Sequence, residues 1–382
     1  MNLWMTHNMN PWMDYLIWPL VKFLIAFIIV QVIVAAMNWI ERRLLGFMQA
    51  RLGPNRVGPK GLLQIIADPV KMLLKEDIVP ANAEKVAYYL GPMLPLLPTF
   101  IIYCLIPFGP SGTFVAARVN VALILVLALT STGVYGIILG GWASNNKYSL
   151  MGGLRSAAQM VSYEVPFGLS IVGVLMIVGS LDLVKIVDYQ AVNAWNFIPQ
   201  IVACFIFFVA MNAENNRTPF DLPEAESELV AGYQTEYSAM KFAFFMLAEY
   251  SAMLVNCCLM VLLFFGGWTL AMFGYGLTSS VLRHWGMLGG LIGTAIFFVK
   301  VMAFMMVYIW FRATFPRFRF DQLMDLGWKW MIPLALGNIF VTAIFILAGQ
   351  ERLMYWIGVV AIGAVIYYMK PKRVHASRVS AV

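Results

Sequence analysis

The chain has 382 residues, of which 61% are apolar and only 12% charged. So few charges cannot cover a soluble surface of that size, and the mean hydropathy of +0.78 agrees, so lipid is the solvent for most of the chain. The formal charge of +7 is informative only through where it falls. Cys104, Cys204, Cys257 and Cys258 all lie in apolar runs without a CxxC spacing, which excludes a cysteine-ligated zinc or iron–sulfur site and a disulfide scaffold. His7, His284 and His375 fall outside the apolar runs, so a bis-histidine haem between membrane helices is excluded too.

In chain order, nine stretches are long and apolar enough to cross about 30 Å of hydrocarbon: 16–40, 86–107, 118–142, 154–179, 196–213, 240–268, 286–311, 331–349 and 353–369. The predicted fold is therefore an all-α polytopic membrane protein, one integral membrane domain over 1–382. No Lys or Arg precedes Lys22, so the first stretch lacks the basic start of a signal peptide and stays as a helix. Lys and Arg in alternate loops divide 20 to 4. That bias predicts an N-terminus outside and a C-terminus in the cytoplasm. Cytoplasmic loops are then 41–85, 214–239 and 312–330, with a tail at 370–382.

Within the first loop, Gly61–Glu76 reads GLLQIIADPVKMLLKE, with Gln64, Asp68, Lys71 and Lys75 forming one polar stripe at steps of 4, 3 and 4. This is too short to span and predicts an amphipathic helix lying at the interface, bent at Pro69. Gly286, Gly289, Gly290 and Gly293 form overlapping GxxxG spacings, which close helix packing explains. Asn216-Arg217-Thr218 is a formal sequon, but the charge bias places it in the cytoplasm. There is no Gly-rich phosphate loop, no HExxH and no nucleophile elbow, and no pattern for binding a nucleotide or nucleic acid.

Carboxylates carry the chemical signal. Glu164 lies ten residues into the fourth stretch and Glu249 about ten into the sixth. A charge at such depth costs roughly 2.5–3.5 kcal/mol even on insertion scales, so it faces a partner or a wet cavity. A carboxyl in such surroundings suits proton transfer; the competing reading is a helix–helix hydrogen bond. Five more acids, Glu214, Asp221, Glu224, Glu226 and Glu228, crowd AENNRTPFDLPEAESEL, with Arg217 their only base. They read either as a solvated loop or as a cluster that stores protons. Arg42, Arg43, Arg51 and Arg56, and later Arg312, Arg317 and Arg319, form basic groups that anionic headgroups would also explain.

Four segments resemble a single family: ERRLLGFMQARLGPNRVGPKGLLQIIADPVKMLLKED, RSAAQMVSYE, AENNRTPFDLPEAESELVAGYQTEYSAMKFAFFMLAEY and RATFPRFRFDQLM. They are similar to the H subunit of respiratory complex I, the proton-translocating NADH:quinone oxidoreductase. The matching motifs run in order from about residue 41 to 324, whereas the first 15 residues and the tail match none.

The resemblance implies a membrane heel on which peripheral subunits dock, in a bacterial inner membrane. NADH, FMN and iron–sulfur clusters then belong to those partners, and this chain holds no prosthetic group. Its substrate would be a quinone, ubiquinone or menaquinone, entering a chamber near the first span and the interfacial helix. Residues matching the chamber lining are Arg42, Arg51, Asp68, Arg217, Asp221, Arg312 and Arg317. Those matching a chain of acids toward the pumping subunits are Glu164, Glu214, Glu224, Glu226, Glu228 and Glu249. A related component of a membrane-bound hydrogenase, or of a ferredoxin- or deazaflavin-linked dehydrogenase, would share these features. A stand-alone transporter would be expected to show a repeat, and none is found.

Overall fold

The computed structural model describes residues 17–110, 117–222, 226–271, 273–350 and 353–360. In chain order the helices are α1 (Trp18–Met48), α2 (Gln64–Leu74), α3 (Lys85–Leu105), α4 (Ala122–Ala143), α5 (Lys147–Val178), α6 (Leu183–Val192) and α7 (Ile201–Glu214). Then follow α8 (Glu226–Leu229), α9 (Ala239–Phe264), α10 (Ser279–His284), α11 (Gly286–Thr314), α12 (Phe320–Asp325) and α13 (Ile332–Leu347). A wide π-type turn over Leu326–Met331 joins α12 to α13 without a break.

Seven of the described helical segments are long and apolar enough to cross a membrane: α1, α3, α4, α5, α9, α11 and the continuous α12–α13. The expected fifth span is shorter than its apolar run. α7 has 14 residues, about 21 Å at 1.5 Å each. Asn196 and Gln200, just before it, are fully buried and bond to other elements instead of extending the helix. Asn196 Nδ2 donates to Leu263 O at 2.9 Å, and Gln200 Nε2 to Thr342 Oγ1 at 2.8 Å. Irregular backbone at that depth is tolerable because protein surrounds it. The ninth stretch, 353–369, is helical over 353–360; its remainder and the tail 370–382 lie outside the described residues.

Several helices continue through charges that mark the expected limits. α1 runs on to Met48 because its charges divide by face: Glu41 points inward at 2% exposure while Arg42 is exposed and Arg43 donates to the Lys60 carbonyl at 2.8 Å. α5 starts at Lys147, capped by Asn146 Oδ1 accepting from Tyr148 N at 2.9 Å. α12 begins at Phe320, where Leu323 is buried and its carbonyl accepts from the Tyr163 hydroxyl. α6 falls in an expected loop; Asp182 caps it and pairs with Arg118 at 3.1 Å.

α9 is the central helix, buried at every residue from Met253 to Phe264 and packed by α3, α11, α7, α1 and α6. α5 packs on α4, α7 and α13 beside it. Outward faces are apolar: Ile28, Val32, Phe205, Val299, Phe340 and Ile344 are each more than half exposed. Polar Ser170, Asn212 and Asn256 are buried instead. That inside-out arrangement is the one lipid favours. The glycine spacings of α11 act within the chain, since a Cβ at Gly289 would meet Leu282 O at 1.9 Å and one at Gly293 would meet Pro110 Cδ at 2.8 Å.

The short helix after α1 forms as the stripe predicts, over Gln64–Leu74, with Pro69 inside it. No residue of α2 is buried. Its polar side is held by Asp68, which accepts from Arg42 Nη1 at 2.8 Å and Gln64 Nε2 at 2.6 Å. Ile66, Val70, Leu73 and Leu74 face away, exposed.

Candidate functional site: a buried arginine–carboxylate cluster

Glu41 is the hub. Its carboxylate accepts from Arg217 Nη1 at 2.8 and 2.9 Å, from the Tyr250 hydroxyl at 2.9 Å and from Arg312 Nη1. Arg217 turns its Nε toward Glu249 and lies 4.3 Å from the centre of the Tyr250 ring. Nearby, Arg317 Nη2 pairs with Asp221 at 3.0 Å. Four separate parts of the chain build this group: α1 gives Glu41, the loop after α7 gives Arg217 and Asp221, α9 gives Glu249 and Tyr250, and α11 with its following loop gives Arg312 and Arg317.

Three acids face three arginines, so the cluster is formally neutral. Exposure rises along it, from 7% for the Arg217 side chain to 35% for Arg317 and 42% for Arg312. It is a charged path from the bundle interior to its surface. Burial pushes the Asp221 carboxyl up to about 6, against the opposing pull of Arg317. Asp221 is thus poised to change charge near neutrality, at the outer part of the path.

Glu249 belongs to two places at once. Besides facing Arg217 it lines a cavity of about 70 Å³ together with Glu214, Asn215, Asn216, Thr99 and Tyr233. That is room for roughly two waters. The side-chain oxygen of Asn216 is buried without a partner among the described residues, so the cavity wall has an unused acceptor. Glu214 differs from the cluster acids: among the described residues it has no cation beside it. Its carboxyl accepts one long bond, from Asn256 Nδ2 at 3.4 Å, and lies near the carboxyl of Glu164.

The structure therefore brings together Arg217, Asp221, Arg312, Arg317 and Glu249, with Glu214 across the cavity. The other candidates lie apart from this group, except Glu164. Arg42 and Asp68 pair with each other on α1 and α2, and Arg51 bonds Gln49 at 2.7 Å. Glu228 is exposed and paired with Arg155 at 2.7 Å. Glu164 is half-buried on α5 and close enough to Glu214 for their like charges to interact. Glu224 lies outside the described residues, and Glu226 is placed only as the first residue of α8. Sequence reasoning missed Glu41 and Tyr250. The signal for Glu41 was present: Val30, Val34, Met37 and Glu41 recur at steps of 4, 3 and 4, a carboxylate on the buried face of an apolar helix.

These features define a polytopic helical membrane protein with a charge-balanced arginine–carboxylate cluster and a polar cavity behind it. Residues 21–343 match the model of the NADH dehydrogenase family. The NADH-quinone oxidoreductase H-subunit 2 of Koribacter versatilis is 44% identical, over 87% of this chain and 98% of that one. The H-subunit 1 of Geobacter sulfurreducens is 46% identical over 87% and 96%, and the H-subunit of Brevibacillus brevis 48% over 81% and 87%. The chain belongs to the NADH dehydrogenase family, as the H-subunit of an NADH-quinone oxidoreductase.

Proposed function

We propose that this chain forms the membrane side of the quinone chamber and passes the charge change of quinone reduction to a proton path. The observation carrying this reading is Glu249, shared between the arginine cluster and the cavity that holds Glu214. Arg317 and Arg312 are exposed enough to meet a quinone headgroup, with Asp221 half-buried behind Arg317. An isoprenoid tail would run along apolar surface such as that of α2. Electrons would come from a peripheral partner, where NADH, FMN and iron–sulfur clusters belong. Two-electron reduction takes up two protons, and Asp221 would supply or relay one. Loss or gain of charge there re-pairs Arg317 and Arg312 with Glu41 and Glu249. The cavity waters would then carry the response to Glu214, and Glu164 and the acids of the 214–239 loop would continue it toward adjacent membrane subunits.

The experiment is Arg317→Ala in the assembled complex. Quinone-reductase rate should fall about ten- to a hundredfold, the equivalent of one hydrogen bond to a charged group. NADH oxidation by a hydrophilic artificial acceptor should be unchanged. An unchanged quinone-reductase rate would remove Arg317 from the chamber.

The proposed orientation in a bacterial inner membrane, N-terminus outside, rests on the 20-to-4 distribution of basic residues. With the native cysteines replaced, Tyr275→Cys, in an exposed turn between α9 and α10, should react with an impermeant thiol reagent in intact cells. Lys147→Cys, exposed at the start of α5, should react only after the membrane is opened. The reverse pattern would invert the topology.

A further inference from the structure

At the C-terminal end of α9, the chain turns back on itself through Phe265, Gly266 and Gly267. Both glycines are left-handed, at φ +69° and +51°. Side chains there would also collide, with Trp195 Nε1 at 2.6 Å for Gly266 and Val187 Cγ2 at 2.7 Å for Gly267. The turn aims the carbonyls of three alternate residues, Phe265, Gly267 and Thr269, at one point. Lys300, from the middle of α11, fills that point. Its Nζ donates to them at 2.7, 3.1 and 2.6 Å, and lies 4.7 Å from the centre of the Trp195 ring. Three N–H groups meet three carbonyl oxygens, and the Trp195 ring flanks them.

The cage is held by bonds that do not involve the lysine. Gly267 N donates to Val261 O at 2.9 Å, Thr269 N to Gly266 O at 2.9 Å, and Gly266 N to Gln190 Oε1 at 2.9 Å. Gln190 in turn donates to Leu262 O at 2.7 Å, and Trp195 Nε1 to Ala271 O at 3.1 Å. Carbonyl dipoles converging at a helix C-terminus repel one another and favour a cation between them. Oxygens at these distances, with an aromatic face, are the donor set that takes the place of water around potassium or ammonium.

We infer that the end of α9 is a preformed carbonyl site for a monovalent cation of the ammonium or potassium class, and that Lys300 is its tethered occupant. The tether also fixes α11 against α9, the two helices that carry Arg312 and Glu249. The inference does not depend on what the arginine cluster does, and its test reads stability.

The assembled complex is purified with Lys300→Ala, which vacates the site, and with Lys300→Met, which removes the charge but fills the space. Thermal dissociation midpoints are measured in ammonium, potassium and tetramethylammonium chloride at equal ionic strength. Both variants should have a lower midpoint than wild type in tetramethylammonium. Ammonium and potassium should raise the Ala variant toward wild type and leave the Met variant low. Wild-type midpoints in both variants, or equal effects of all three salts on the Ala variant, would overturn the inference. If neither variant assembles, growth in ammonium-rich medium should restore assembled Lys300→Ala and not Lys300→Met; failure to do so would overturn it equally.

Discussion

Glu41→Gln should lower both the amount of assembled complex and the quinone-reductase rate of what assembles. The carboxylate holds Arg217, Arg312 and the Tyr250 hydroxyl together at 2% exposure. Without it Arg312 can turn to solvent, but Arg217 stays buried with Glu249 as its remaining counter-charge. Removing one partner of a buried pair costs on the order of 3–5 kcal/mol, and the surviving Glu249 contact puts this case near the lower end. Glu41→Asp keeps the charge but loses the reach to hold both arginines, so it should fall between. A double variant, Glu41→Met with Arg217→Met, replaces the pair by apolar side chains but leaves Glu249 without its arginine, so it should recover only part of the stability. Its quinone-reductase rate should remain low, because the proposed role depends on charge rather than volume. Assembly is read from the complex extracted in mild detergent, and rate is expressed per assembled complex. A Glu41→Gln complex that assembles and turns over like wild type would remove Glu41 from the site.

Among the acids, Glu214→Gln should have the largest effect on coupling with the least effect on folding. Among the described residues its carboxyl has no arginine or lysine to strand, and the amide fits the same space beside Asn256. Loss of a proton-carrying group costs about a hundredfold in systems where it acts as acid or base. Quinone reduction and proton uptake into inside-out vesicles should therefore fall together by about that factor. Glu214→Asp should retain part of both. Glu228→Gln is the internal comparison: its exposed pair with Arg155 contributes about 0–1 kcal/mol, so a smaller change is expected unless the 214–239 loop itself carries the proton. Normal rate and normal uptake in Glu214→Gln would end the proposal that this cavity is on the proton path. Glu249→Gln is harder to interpret, because it also leaves Arg217 short of a partner.

The membrane class, seven long apolar helices and the short amphipathic helix were legible because each depends on local composition and period. Gln64, Asp68 and Lys71 share one face of a helix whatever surrounds them, and Lys75 stands just past its end. Helix limits were less legible. A charged residue ends an apolar run on paper, but α1 passes through Glu41, Arg42 and Arg43 because one face of it is buried and another is not. The same holds at Phe320, where the chain is already helical in a segment rich in Arg and Asp.

The sequence by itself determined the solvent of this protein, the residue types available for chemistry and, through long motifs, the family. Only the tertiary structure decided which charges meet. Glu41 and Arg217 are 176 residues apart, and Glu41 and Arg312 are 271 apart. No periodicity connects such positions; the packing of α1, α9 and α11 around the loop after α7 does. That packing also divided the acids into Glu41 and Glu249, held by arginines, Glu214, facing a cavity with no cation beside it among the described residues, and Glu228, at the surface. A lone carboxylate in an apolar run has the same sequence signature in each case. Its partner, and so its chemistry, is set by another part of the chain.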